Sequence, residues 1–244
     1  LLKQVQGDKS LKGLVIISRK PTIFIAGADI SEIQKLIQQT DPKEFLMKVH
    51  GIFNLLEDLP IPTFAAIHGA CMGGGCELAM ACDYRIVTDA KETKIALPEV
   101  QLGIIPGWAG TQRMPRLIGL EKSLDLVLSG RPIDGKTAKK WGLADYLVAY
   151  EFLDERVLEI AKSKTESGKK KERLKPKDLK SKVLESFPGK LLVFEQAKKK
   201  LLEKTKGHYP APLKALEVIK RTYGSDSRKG QEVEAEAFCE VIKT

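Results

Sequence analysis

Two glutamates 22 residues apart, Glu77 and Glu99, follow a run of three glycines, Gly73, Gly74 and Gly75, in a chain of 244 residues. A pair of carboxyl groups suits acid/base work, in which one group takes a proton while the other gives one. The glycines lie between an apolar run that reads as a strand, Thr63 to Ile67, and one that reads as a helix, Cys76 to Cys82. Glycines at that junction let the backbone turn tightly and bring its amides close to a ligand, with the positive end of the helix dipole behind them. The stretch is built to hold something negative, so the carboxyl pair points to proton transfer beside an oxyanion.

Each feature alone also has a plainer reading. The glycines suit a packing turn, Glu77 a first-turn glutamate that complements the helix dipole, and Glu99, after Pro98, a solvated loop carboxylate. The conjunction carries the functional reading. His68 precedes the glycines, but nothing near it forms a nucleophile, base and orienter set, so it reads as structural. Asp29 reads as a loop residue that hydrogen-bonds backbone. The four cysteines, Cys71, Cys76, Cys82 and Cys239, form no Cys-x-x-Cys element, and only His50, His68 and His208 could add imidazoles, which argues against zinc. Reduced, buried thiols fit an intracellular compartment.

The elements that must position these residues alternate. Lys12 to Ser18 suits a buried strand, and Ile23 to Ile30 (IFIAGADI) a strand followed by a small-residue loop of the kind that meets ligands in open α/β architectures. Asp41, Pro42 and Glu44 read as an N-cap, a first helical proline and a capping-box glutamate, opening a helix to about Leu59. Tyr84 to Thr88 and Tyr146 to Val148 read as strands; Trp108 to Leu117, Glu121 to Ser129 and Asp134 to Trp141 read as helices, the last two closing at Gly130 and Gly142. This pattern predicts an α/β domain with strands in roughly consecutive order. Beyond about Lys162 helical signals take over: an exposed turn over Gly168 to Arg173, an amphipathic helix over Lys190 to Lys204, another opened by Pro212, and a last one capped by Ser227.

Composition is that of a globular chain, 43% hydrophobic and 30% charged. The net charge of +9 is local: Lys162 to Lys206 holds 16 Lys and Arg against 6 Asp and Glu. Acyl-chain carriers with phosphates, anionic lipid and RNA are the partners such a segment would attract. It has one arginine, Arg173, and two aromatics, Phe187 and Phe194, so a solvated helical face is the preferred reading and no nucleic-acid partner is expected.

The motifs FIAGADI, HGACMGGGCELAMACDYRI, LPEVQLGIIPG, GTQRMPRLIG, LSGRPID and AKKWGLAD stand together in an order and spacing that resemble the crotonase (enoyl-CoA hydratase/isomerase) superfamily over nearly the whole chain. The tail, KGHYPAPLKALEVIK with AEAFCEV, further resembles the hydratase half of the multifunctional fatty-acid oxidation α-subunit. The resemblance implies a spiral of ββα units over residues 1–160 and, over 161–244, a helical annex leading toward a hydroxyacyl-CoA dehydrogenase half that the sequence lacks. It also implies an internal fragment without the first strand and helix of such domains. The chain opens on Leu1, so a targeting peptide would be invisible.

By the same resemblance, Ala28 and Gly74 donate backbone N–H groups to the thioester oxygen of an acyl-CoA, on the order of 3 kcal/mol each. Glu77 helps activate water for attack at C3 and Glu99 exchanges the proton at C2, while Ala26, Gly27, Asp29, Ile30, Gly73, Pro98, Gly107 and Trp108 line the substrate. No metal or redox cofactor is implied, since coenzyme A belongs to the substrate. Implied partners are a thiolase β subunit and peripheral membrane, and the implied location is bacterial cytoplasm or, in a eukaryote, the mitochondrial matrix. Enoyl-CoA isomerisation, and RNA or membrane binding by a non-catalytic homologue, remain as alternatives. One departure stands out: the family reads Pro-Gly-x-Gly-Gly where this chain has Pro106-Gly107-Trp108-Ala109-Gly110, and Trp108 with the Ala109 methyl is expected to narrow the acyl channel or move the loop.

Overall fold

Across residues 1–27, 41–166, 171 and 187–243, which a computed structural model describes, short strands and helices alternate as the sequence predicts. In chain order they are α1 (Leu2–Gly7), β1 (Leu14–Ile17), β2 (Ile23–Ile25), α2 (Pro42–Glu57), β3 (Thr63–Ile67), β4 (Ala70–Met72), α3 (Gly74–Ala81), β5 (Tyr84–Thr88) and β6 (Lys94–Ala96). A 3-10 turn (Pro98–Leu102) leads to α4 (Gly110–Ile118), α5 (Leu120–Ser129), β7 (Ile133–Asp134), α6 (Gly135–Trp141) and β8 (Tyr146–Val148). After a second 3-10 turn come α7 (Leu153–Glu166), α8 (Phe187–Thr205), α9 (Pro210–Thr222) and α10 (Ser227–Val241).

The strands do not follow one another across a single sheet. They divide into two four-stranded sheets, β1-β3-β5-β8 and β2-β4-β6-β7, so strands β1 to β6 fall alternately in the two. The reason is connection length. Parallel neighbours need a crossover of a dozen or more residues, whereas only His68 and Gly69 separate β3 from β4, enough for a bend into the other sheet. Gly69 makes that bend at φ 76°, where a Cβ would stand 2.1 Å from the Thr22 carbonyl. Pairing is parallel from β1 to β8, with Phe64 opposite Tyr84 and Ile67 opposite Val87, and only β6 with β7 is antiparallel. Strand, bend, strand and returning helix make one ββα turn of the spiral.

Every residue of β3 and β5 is buried, as expected for parallel strands covered on both faces. Alternation sorts their side chains. Phe64, Ala66, Tyr84 and Ile86 meet Leu153, Val157 and Ile160 of α7, while Ala65, Ile67 and Val87 join the larger core with Met80, Leu97, Ile105 and Met114.

Helix ends follow the sequence with small corrections. Asp41 accepts from Lys43 N at 3.0 Å and caps α2, but Glu44 pairs with Lys48 at 2.8 Å instead of closing a capping box. Asp226, not Ser227, caps α10, accepting from Arg228 N and Lys229 N. Helix α9 opens at Pro210, two residues before Pro212, and α3 opens on Gly74 instead of Cys76. Apart from Lys171, the turn expected over 168–173 lies outside the described residues. Helix α10 folds back against α2 and α4.

Arg85, 2% exposed on β5, ties the spiral to its last turn: it donates to Leu143 O at 2.6 Å and Cys82 O at 2.7 Å and pairs with Asp145 at 3.1 Å. Arg85→Ala removes these hydrogen bonds from a dry interior and leaves Asp145 without this partner, and is expected to cost about 3 kcal/mol or more. Urea unfolding checks this, and a loss of less than about 0.5 kcal/mol, the scale of a surface substitution, would contradict it.

Candidate active site

The three glycines between β4 and α3 each serve a different close approach. Gly73, at φ 53° and ψ −127°, takes a conformation closed to other residues, and a Cβ on it would stand 3.0 Å from Glu99 Oε1. On Gly74 a Cβ would run into the Trp108 indole, 2.0 Å from Cζ3; on Gly75 it would meet Ile25 O of β2 at 2.4 Å. As the first residue of α3, Gly74 has an N–H with no partner inside the helix. It points the α3 dipole at the same space.

Glu77, one turn into α3, is 2% exposed, and Glu99, carried by the 3-10 turn, is 8% exposed. Both line a cavity of about 150 Å³, together with Ala26, Gly27, Gly73, Gly74, Pro98, Gly107 and Trp108. Ala28, Asp29 and Ile30 lie outside the described residues. The rest of the wall is apolar: Phe45 and Leu46 from α2, Leu102, Ile104 and Ile105 after Glu99, and Phe238 from α10. Trp108 also stands edge-on to Phe53, with centroids 5.8 Å apart. Ala109, expected to narrow the channel with Trp108, forms no part of this wall; it is fully buried and sits in left-handed backbone at φ 72°. That backbone explains a glycine at the matching place in the family pattern.

The two carboxyl groups are held differently. Oε1 of Glu77 accepts from Trp108 N at 2.8 Å and Gly110 N at 2.7 Å, at the start of α4. Burial pushes the Glu77 carboxyl up to about 7, against the pull of those two amides and of the Arg113 guanidinium. Glu99 Oε2 is buried with no partner among the described residues, a group that a ligand or water would satisfy. Burial, and then the neighbouring Glu77 and Glu234 carboxylates, hold Glu99 well above the usual carboxylate range. Both carboxyl groups are raised, and Glu77 comes to the point of losing its proton near neutral pH. One group can give while the other takes.

A third buried carboxylate adjoins them. Glu234 of α10, with no exposure, accepts from Ala109 N at 2.6 Å, Thr111 N at 3.0 Å and the Thr111 hydroxyl. Burial first, then Glu77, pushes it up to about 8. His50 Nε2 lies 3.8 Å from Glu234 Oε1, and burial, with Arg113 nearby, lowers the His50 imidazole to about 4. Neither Glu234, His50 nor Arg113 stood out in the sequence. The available signal was a glutamate on the same helical face as Gln231 and Phe238, the face that α10 buries. His68, as expected, is structural: its ring bonds Thr88 Oγ1 at 3.0 Å and Pro21 O at 2.8 Å and stacks on Tyr150.

Comparison with known proteins matches residues 1–209 to the family described as enoyl-CoA hydratase/isomerase. The fatty acid oxidation complex subunit alpha of Vibrio campbellii is 45% identical over 242 residues, 99% of this chain and 34% of that protein. The subunit of the same name from Shewanella amazonensis is 43% identical over 245 residues, 100% of this chain and 34% of its own length. This chain therefore spans about a third of these relatives. A crystal structure of an enoyl-CoA hydratase from Bacillus anthracis matches with a TM-score of 0.62 at 27% identity, over 100% of this chain and 78% of that one.

A carboxyl raised on folding is best tolerated while protonated, so its contribution to stability is complete below the unfolded value and is lost as pH rises through the folded one. For Glu77 that window runs from its ordinary 4.5 to about 7 and spans about 3 kcal/mol. Glu77→Gln is therefore expected to gain stability relative to the parent between pH 4.5 and pH 8. Paired thermal melts at those two pH values check it, and an equal difference at both would contradict it.

Proposed function

The chain belongs to the enoyl-CoA hydratase/isomerase family, and from that footing we propose that it adds water across the double bond of a trans-2-enoyl-CoA, giving a 3-hydroxyacyl-CoA in fatty-acid β-oxidation. The observation that carries the proposal is the pair of buried glutamates, both raised by burial, at one cavity, with the first amides of α3 beside them. Gly74 N–H, with Ala28 N–H, receives the thioester oxygen, and the apolar wall from Phe45 to Phe238 receives the acyl tail.

In the proposed step Glu77, ionised, takes a proton from water as the water oxygen bonds to C3. The C2–C3 π electrons move toward the thioester, whose oxygen gains charge against the two amides. Glu99, protonated, delivers its proton to C2. One proton is accepted and one given, so the product is neutral relative to the substrate plus water; the pair resets when the proton on Glu77 returns to Glu99 through solvent. No resident cofactor enters. Glu99 alone suffices to move a proton between C2 and C4, which supports a secondary Δ3,Δ2-enoyl-CoA isomerase activity.

The relatives are named as subunits of a fatty acid oxidation complex. These names support membership of a complex; we further propose residues 1–160 as catalytic core and 161–244 as annex, ahead of a dehydrogenase half and beside a thiolase β subunit, in bacterial cytoplasm or the mitochondrial matrix.

The test is the pH dependence of kcat/KM for hydration of crotonyl-CoA, followed by loss of the enoyl-thioester absorbance. The acid limb belongs to Glu77, so activity is expected to rise as pH passes about 7 and to fall again at higher pH, where Glu99 loses its proton. A rate flat from pH 5 to 9, or no hydration by folded protein, would contradict the assignment.

A further inference from the structure

Four successive amides at the start of α4 are shared between two buried carboxylates. Trp108 N and Gly110 N donate to Glu77 Oε1, while Ala109 N and Thr111 N donate to the two oxygens of Glu234, which also takes the Thr111 hydroxyl. We propose that Glu234 is a positioning residue for the reaction: a carboxylate reaching in from α10 that fixes the 108–111 turn and so aims the Trp108 and Gly110 amides at Glu77. The proposal rests on Glu77 being the group that activates water.

Donor chemistry fits a carboxylate at this place. Two amides and a hydroxyl converge on its two oxygens, and a carboxamide in its place would set an NH2 group against one of the amide donors. The turn needs such an anchor. Ala109 holds left-handed backbone, which strains a residue with a Cβ, and the 2.6 Å bond from its own amide to Glu234 offsets that strain. The other charged or titratable groups around Glu234 do not replace it. Arg113 is engaged with Glu57, Asn54 and Trp108 O, and His50 approaches no nearer than 3.8 Å. Release of Glu234 frees Ala109 and Thr111, and with them the two amides between which Oε1 of Glu77 is held. Small misplacement of a reacting group costs rate far more than it costs binding.

Glu234 thus links the annex to the chemistry without touching substrate: the cavity wall takes Phe238 from α10, whereas Glu234 lies behind the turn and outside that wall.

The experiment is steady-state hydration of crotonyl-CoA by the full-length protein carrying Glu234→Gln, Glu77→Gln, or both, with Glu236→Gln, an exposed partner of Lys43 on the same helix, as control. The expected result for Glu234→Gln is a fall in kcat of about 10- to 100-fold with KM within about 2-fold, and no more than about 2-fold further loss when it is added to Glu77→Gln, because the two substitutions break one unit. The control keeps the parent's rate. Unchanged kcat in folded Glu234→Gln, or an equal fold-loss in the Glu77→Gln background, would overturn the proposal. If Glu234→Gln does not fold by circular dichroism, Thr111→Val removes the hydroxyl, which donates to Glu234 and accepts from Gln112 Nε2 at 2.9 Å, and keeps both backbone amides on Glu234; a 3- to 10-fold fall in kcat at constant KM is then expected, and an unchanged kcat would overturn the proposal. Should Glu77→Gln hydrate at the parent's rate, the functional reading fails and takes this proposal with it, whereas collapse in Glu77→Gln with an unaffected Glu234→Gln sinks this proposal alone.

Discussion

Holding carboxyl groups out of water is the constraint on which the rest of this structure depends. Glu77, Glu99 and Glu234 are all buried, and Arg113, the guanidinium that acts on Glu77, already pairs with Glu57 at 2.8 Å. The protein answers with backbone amides at a helix start, two on Glu77 and two on Glu234, and leaves one oxygen of Glu99 without a partner among the described residues. Burial then raises all three carboxyl groups, which is destabilising above neutral pH and is also what makes them able to exchange protons near pH 7.

The fold supplies this arrangement by bends as much as by strands. Because β3 passes into β4 through only two residues, the chain leaves one sheet, enters the other and turns into α3 within a few residues, bringing the glycine run under the 3-10 turn that carries Glu99. Helix α10 closes the same site from the far end of the sequence, 125 residues from Ala109 to Glu234. The annex is therefore part of the site's construction, with Phe238 on the wall and Glu234 behind the turn.

Much of this was legible in the sequence, for definable reasons. The strands at Thr63–Ile67, Tyr84–Thr88 and Tyr146–Val148 are apolar and β-branched or aromatic, and their bounds were read correctly; helix ends with a clear signal, Asp41-Pro42, Gly130 and Gly142, were likewise plain. The family resemblance, and with it the fold, rested on several motifs in order. The division into two sheets was not legible from periodicity, because it depends on which strand pairs with which, and β4, three residues long with glycines on both sides, has too little pattern to announce itself. Ala26, Gly27, Gly73, Gly74, Glu77, Pro98, Glu99, Gly107 and Trp108 do meet at one cavity, and Ala28, Asp29 and Ile30 lie outside the described residues. Glu234 escaped notice because a glutamate in a helix reads as solvated until the partner elements α2 and α4 are known to cover it. The Ala109 methyl suggests a narrowed channel or a moved loop; it lies off the cavity wall, and its consequence is in the backbone of the loop.

The central claim is that Glu77 and Glu99 act together on water and an enoyl thioester. The most direct test is crotonyl-CoA hydration by the full-length protein and by its Glu77→Gln and Glu99→Gln variants, each shown to be folded. The paired-carboxylate account predicts a loss of roughly 10²- to 10⁴-fold in both variants. A Glu77→Gln variant that hydrates at the parent's rate would contradict it, and one that loses hydration but still moves the double bond of a 3-enoyl-CoA would assign Glu99 to isomerisation by itself.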